Sequence, residues 1–346
     1  MARLSEKENF MRVINGETPE WVPRYTMGPD PYAKKPPPST GVMSSVIPRV
    51  PTEGRGFIDI FGVEFVATKE TGWMSLPKPG KFVMDDISKW RDIVKLPDLT
   101  GIDWDAVCKK DVGNMPADPN DAAVMYSGVG GMGGGGFFMP LMNMMGFTNG
   151  LMTIFEEPEL VHEMFDYMAD WYCYGIENTI DRLPVDVFMV SDDTATATNP
   201  FISPEMYREM IKPYVARTAK YAVDRGIPVM MHNCGRCEDS IDDWRDFGVT
   251  SWNPAQIVND LDGIKKKYGN SLVLIGCWDS TGPVGWPHAT EDFVRQTVRD
   301  TIDRYAAGGG FMFWGSVYGP EGDEETENKR RWITEEYEAY RETPYK

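Results

Sequence analysis

DVFMVSDDTATATNPFISPEMYREMIKPYVARTAKYAVDRGIPVMMHNCG, residues 186–235, opens on a run that is apolar on both faces, continues through an amphipathic segment at about 203–225, and closes on a second apolar run, PVMMH. Apolar runs each followed by a helix are the pattern of parallel strands covered by helices. The same rhythm continues on both sides. AVMYS (123–127), VTSW (249–252), LVLIG (272–276) and FMFWG (311–315) are further short apolar runs, and helical spacing fits about 157–183, 238–246, 258–268, 290–307 and 324–342. With an early segment near Trp21 and one further strand, about eight strands can be counted, which favours a closed (β/α)8 TIM barrel over an open sheet. The expected organisation is a single α/β barrel domain over residues 1–346. Residues 1–120 would carry N-terminal helices, a small hairpin and long loops at the C-terminal face.

In that N-terminal extension, Ser5 followed by Glu8 forms a capping-box pattern, and Phe10, Val13 and Ile14 repeat behind it, so a helix is expected over 5–15 with Gly16 ending it. The segment WVPRYTMGPDPYAKKPPPSTG reads as a strand running into a long, proline-punctuated loop. Residues 57–68 alternate as a hairpin does, and 86–96 and 104–110 are helical in spacing.

A net charge of -18 gives a surface that phosphate backbones and anionic lipid would repel, so neither nucleic acid nor a membrane is expected as a partner. The start, MARLSEKENF, has no apolar signal core, and no run of about 18 apolar residues occurs, so a soluble cytoplasmic protein is expected. Five unevenly placed cysteines do not make a disulfide framework. Cys108 and Cys173 read as packing residues.

In a barrel, the residues just past each strand's carboxyl end meet at one mouth. Here those positions supply Ser191, Asp192 and Asp193; His232, Cys234 and Cys237; Trp252 and Asn253; Cys277, Trp278 and Asp279; and Trp314, Gly315 and Ser316. His232 and Cys234 are two apart and point the same way if the strand persists. Cys277 ends a strand of its own. One imidazole with two or three thiols suits zinc, with three ligands in a catalytic site and all four of His232, Cys234, Cys237 and Cys277 in a closed structural one. A redox Cys234/Cys237 pair and plain unliganded thiols are the alternatives. The glycine run at 128–136 lacks a GK[ST] ending and reads as a loop rather than a phosphate cradle. Met139, Met142, Met144 and Met145 form either core or an adaptable docking surface.

Taken together, KENFMRVINGETPEWVPRY near the start, ISPEMYREMIKPY after the Asp192-Asp193 strand end, the HxCG of His232 to Gly235, the GxxD of Gly276 to Asp279 and GGFMFWGS with Glu327-Asn328 resemble the uroporphyrinogen decarboxylase superfamily, specifically its cobalamin-dependent methyltransferase branch. The likeness covers most of the chain. The arginine-rich RQAGR motif of the decarboxylase itself is replaced by TMGPDPY. The resemblance implies a barrel that binds zinc at its mouth and docks a separate corrinoid protein. Branch members using coenzyme M carry zinc on HxC plus a cysteine of the last strand, where this chain has Ser316; Cys277 is then the substitute third ligand. Aryl-ether demethylating members are similar to this chain in another way, since Glu209, Cys237 and Cys277 follow their acidic-x27-Cys-x39-Cys spacing. His232, Cys234 and Cys277 are the favoured ligands, with Cys237 next and Glu209 the alternative.

The function implied is O-demethylation of a methoxylated aromatic, with zinc on the ether oxygen and the Co(I) of a partner's cobalamin accepting the methyl group. A phenol of pKa about 10 leaves far more easily than an alkoxide. Asp192 or Asp279 would orient or protonate the leaving group, and Tyr25, Trp252, Asn253, Trp278 and Trp314 would bind the ring. No DxHxxG cobalamin pattern occurs, so the cobalt is expected on another chain. A methylcobamide:thiol methyltransferase is the runner-up; a non-catalytic zinc scaffold and a metal-free decarboxylase are the remaining alternatives.

Overall fold

The computed structural model describes residues 3–345 apart from 27, 29, 48, 70–72 and 131–135. Helix α1 (Glu6–Ile14) begins as its capping box requires, with Ser5 accepting the Glu8 N–H and the Glu8 carboxylate accepting the Ser5 N–H at 2.7 Å. Strand β1 (Ser39–Val42) follows, then β2 (Val50–Pro51), β3 (Phe57–Ile58), β4 (Glu64–Ala67) and β5 (Ser75–Pro77), which pair antiparallel in that order. The hairpin expected at 57–68 is thus the centre of a four-stranded sheet. Helices α2 (Trp90–Ile93) and α3 (Trp104–Gly113) lead to β6 (Ala123–Tyr126), α4 (Phe138–Met145), α5 (Phe147–Glu156) and α6 (Pro158–Thr179). The rhythm then runs β7 (Val187–Ser191), α7 (Pro204–Met210), α8 (Lys212–Val223), β8 (Val229–His232), α9 (Ile241–Asp246), β9 (Val249–Ala255), α10 (Leu261–Tyr268), β10 (Val273–Gly276), α11 (Glu291–Tyr305), β11 (Phe311–Phe313) and α12 (Glu324–Tyr340). No helix among the described residues is long and apolar enough to cross a membrane.

The expected helix at 203–225 is two helices. Pro213, in the first turn of α8, has no N–H to donate back into α7, so the chain restarts at Lys212. Strand β1 reads as loop in sequence because three prolines precede it, yet it pairs in register with β6. Helices α4 and α5 lie where the methionine-rich run gives no helical period; Met142, Met144 and Met145 are core, and Met139 is half-buried.

A curled parallel sheet of order β1-β6-β7-β8-β9-β10-β11 makes the wall. Alternate residues of each strand separate cleanly, as the period of two demands. Ala123, Met125, Val187, Met189, Met230, Val273, Ile275 and Met312 meet on the concave side, where Phe10, Val13 and Ile14 of α1 pack against them. Their neighbours Val124, Tyr126, Phe188, Val190, Met231, Leu274, Phe311 and Phe313 pack outward under the helices. Both faces are buried, which is why β6, β7, β8, β10 and β11 read as near-continuous apolar runs.

The eighth strand of a closed barrel is present only as the Pro23–Tyr25 segment. It bridges β11, with the Tyr25 N–H donating to Phe313 O and the Phe313 N–H to Pro23 O, both at 2.9 Å. No ladder joins it to β1 among the described residues; a cavity separates the two.

Candidate metal centre

Strand alternation decides which side chains reach the concave side at the carboxyl ends. On β7, Val187 and Met189 face inward, so Asp193 follows them and Asp192 falls on the helix side. On β8, Met230 faces inward and so does His232, with Cys234 two residues on. The three converge: His232 Nε2 lies 3.8 Å from Cys234 Sγ and 4.0 Å from Asp193 Oδ1, and all three donor atoms fall within 4.8 Å of one another.

Each member is held from behind. Nδ1 of His232 donates to Asn253 Oδ1 at 2.6 Å, which leaves Nε2 with its lone pair facing Cys234 and Asp193. The Asn253 amide is itself placed by Met230, whose sulfur lies 2.8 Å from Nδ2. Asp193 Oδ1 accepts the Cys234 N–H at 2.8 Å, and Gln256 Oε1 accepts the Gly235 N–H at 2.5 Å. Burial, together with the Asp193 charge, pushes the Cys234 thiol well above its ordinary range. Two groups that repel each other as anions, placed beside a neutral imidazole nitrogen, make a set that a cation completes.

Gly235 is required here. Its φ is +90°, and a Cβ would lie 2.6 Å from the carbonyl oxygens of both Ala195 and Thr196. Gly235→Ala is expected to cost at least about 2 kcal/mol of stability, since neither carbonyl can retreat without opening the β7 loop. Urea denaturation beside wild type checks it; an unchanged midpoint would contradict the close approach.

Asp192 has a different task. Its carboxylate, buried at 4% exposure, accepts the N–H groups of Phe137, Phe138 and Met139 at 2.9, 2.7 and 2.9 Å, so it holds the start of α4. Gly136 permits this, because a Cβ there would meet Ser191 O at 2.5 Å. Burial pushes the Asp192 pKa up to about 6 against the pull of the three N–H donors, with the Asp193 charge adding to the rise. Most of the glycine run preceding it lies outside the described residues.

The remaining candidate residues separate by side of the wall. Gly276 and Cys277 have φ of +112° and +54°, so alternation breaks at the end of β10 and the Cys277 thiol is buried in the helix-side cluster, within the electrostatic reach of Lys265 and Arg304. It is not brought to His232. Cys237 is buried and donates toward the carbonyls of Asn233 and Gly235 at 3.7 and 3.6 Å, apart from the donor cluster. Glu209 is exposed on α7. Trp252 packs on Trp244 on the helix side with its Nε1–H on Asn233 O, and Trp278 packs edge-on to Phe313 with its Nε1–H on Ser316 O. Tyr25 and Trp314 do meet on the concave side, edge to face at 5.0 Å. Asp279 accepts the N–H and hydroxyl of Thr281 in its own turn. Asp193, which stands beside Asp192 among the strand-end residues with the same capacity to bind a cation, is separated from it by the inward parity of Val187 and Met189. Gln256 was not singled out from sequence and carries no signal there.

The chain is similar over 98% of its length, and over all of the other chain, to the structure of a methyltransferase from Methanosarcina mazei, with a TM-score of 0.58 at 14% identity, a likeness of fold. No curated protein sequence matches. The model of the uroporphyrinogen decarboxylase (URO-D) family matches residues 129–314, from the loop after β6 to the residue after β11, and this chain therefore belongs to the uroporphyrinogen decarboxylase family.

Proposed function

We propose that this protein is a zinc-dependent methyltransferase that moves a methyl group from a methoxylated aromatic to the Co(I) corrinoid of a separate protein. The observation that carries the reading is the Asp193–His232–Cys234 cluster at the carboxyl ends of two adjacent parallel strands. The fold shared with a methyltransferase is consistent with it. One imidazole nitrogen, one thiolate and one carboxylate oxygen are a three-ligand zinc set that leaves a fourth position for substrate. Bond lengths of about 2.0–2.3 Å in a tetrahedron require donors about 3.4–3.6 Å apart, so the His232–Cys234 separation of 3.8 Å needs to close by only a few tenths of an ångström and the His232–Asp193 separation of 4.0 Å by about 0.6 Å. Zinc held there supplies a Lewis acid that polarises the ether oxygen.

The chain's own residues then do the positioning. Asn253 fixes the imidazole with Nε2 outward. Asp193 orders the Cys234 backbone, and Gln256 and Gly235 hold the turn behind it. In the overall reaction the methyl carbon leaves the aryl oxygen for cobalt, Co(I) becomes methyl-Co(III), and the aryl oxygen takes a proton to become a phenol. Asn253→Ala removes the acceptor behind His232 and is expected to weaken zinc binding roughly 10- to 100-fold, read by chelator competition.

The test of the reading is incubation of the zinc-loaded protein with cob(I)alamin and 2-methoxyphenol, following methylcobalamin by absorbance and catechol by chromatography. Stoichiometric formation of both is expected. Methyl transfer from methylcobalamin to coenzyme M or homocysteine, with none from the methoxyarene, would replace this reading by the thiol methyltransferase one, which the same open ligand position would serve.

A further inference from the structure

We propose that Tyr318, on the loop between β11 and α12, is a substrate-binding residue of the candidate metal centre, its phenol O–H donating to the oxygen atom that enters the open position beside Asp193, His232 and Cys234. The inference rests on the reading of those three residues as ligands with one position left for substrate.

The backbone is fastened on both sides of Tyr318. Before it, Ser316 O accepts the Trp278 Nε1–H at 2.7 Å, and Val317, itself buried, has its carbonyl oxygen on the Arg330 Nε–H at 3.2 Å. After it, Gly319 lies so close to α12 that a Cβ there would meet Thr326 Oγ1 at 2.1 Å. The Glu321 carboxylate then accepts from Trp73 Nε1 at 2.6 Å and from Arg55 Nη2 at 3.1 Å, which ties the loop to the turns of the four-stranded sheet. Between these anchors the Tyr318 side chain is 62% exposed and has no hydrogen-bond partner among the described residues.

An exposed tyrosine on an outer helix would need no explanation. Tyr318 instead follows the last strand at its carboxyl end, the side of a barrel on which substrates bind. Three strand spacings of about 4.8 Å separate β11 from β8 along the wall, so Tyr318 comes within the electrostatic reach of Cys234 because its loop turns in over the mouth. A phenol keeps its proton at neutral pH, its ordinary pKa being about 10, and here desolvation, followed by the Cys234 charge, raises it further. Tyr318 is therefore a donor. The ligand atoms of the centre are a carboxylate oxygen, a sulfur and an imidazole nitrogen whose lone pair faces the other two, so the cluster itself offers no O–H. A substrate oxygen that gathers negative charge as its methyl group leaves is stabilised by such a donor, and a donor on a fixed backbone loses little freedom in providing it.

The test is calorimetric titration of the zinc-loaded wild type and Tyr318→Phe, without cobalamin and under argon, with catechol and thiophenol as probes. Catechol brings an oxygen that accepts a hydrogen bond strongly, whereas the sulfur of thiophenol is a weak acceptor. Catechol is expected to bind Tyr318→Phe about tenfold more weakly than wild type, and thiophenol to bind the two within about twofold. Because the side chain is exposed and the ring is kept, zinc content and thermal midpoint should be the same in both proteins. Equal binding of catechol would place the hydroxyl away from the substrate, and an equal loss of both probes would leave Tyr318 a packing role; either result overturns the proposal. Wild type that takes up no zinc, or takes it up and binds neither probe, would overturn the ligand reading and the role of Tyr318 with it, a failure that wild type alone reveals.

Discussion

His232→Ala is expected to leave the protein folded, to remove its zinc, and to lower methyl transfer at least about a thousandfold. The imidazole is at the end of β8 and its side chain is 15% exposed, so truncation opens no core cavity. What it removes is the only neutral donor of the three-atom set. Asp193 and Cys234 would remain as two like charges about a cation with no third ligand, and burial already disfavours the Cys234 thiolate. A Lewis acid is worth several kcal/mol of transition-state stabilisation, and each 1.36 kcal/mol is tenfold in rate, from which the thousandfold follows. Elemental analysis beside Cys277→Ser decides the ligand set. Wild type and Cys277→Ser should each carry about one zinc per chain, because the Cys277 thiol is on the helix side of the wall. Zinc retained in His232→Ala and lost in Cys277→Ser would move the centre to the other face and end the assignment made here.

Asp192→Asn carries the second large effect, on stability rather than on chemistry. Three N–H groups at the start of α4 share one buried carboxylate, and an asparagine offers a single acceptor oxygen and turns an NH2 group toward the rest. A loss of roughly 3–5 kcal/mol is expected by urea denaturation at pH 7, the cost of leaving buried N–H groups unpaired against an NH2 group. The pH dependence tests the cause. Because the folded pKa is raised, to about 6 from an ordinary 3.8, the neutral form is the one folding favours. That contribution is fully present below pH 3.8 and is lost as the pH rises through about 6. A rise of about two pH units corresponds to about 3 kcal/mol. The stability difference between wild type and Asp192→Asn should therefore narrow from pH 4 to pH 7. A difference independent of pH would show that the three N–H donors hold the carboxyl at its ordinary pKa and that burial does not dominate.

Both predictions turn on adjacent residues doing opposite things. Asp192 and Asp193 are indistinguishable by residue type, and the reading from sequence put its weight on Asp192. Strand parity separates them, but parity is usable only once it is known that Val187, and not Phe188, faces the concave side. In a strand buried on both faces the two parities look alike in apolar content, so nothing local marks the inward one. Cys277 illustrates the same limit. Continued alternation after Val273 and Ile275 would have turned it inward, toward His232, and two successive positive φ angles send it the other way.

What the sequence determined by itself is what local chemistry enforces. Double-sided burial makes most of the parallel strands short apolar runs, so β6 to β11 and the helices after β7 that cover them were legible, as were the Ser5–Glu8 capping box and the pairing of His232 with Cys234 across two residues. Tertiary structure alone decided the rest. Helix α4 forms at a methionine-rich run because a carboxylate from another strand takes its first N–H groups. Strand β1 exists because β6 offers it a partner in register. The wall stays open beside it because the Pro23–Tyr25 segment hydrogen-bonds to β11 and not to β1. In each case the deciding hydrogen-bond partner lies far away along the chain, where no periodicity or spacing can register it.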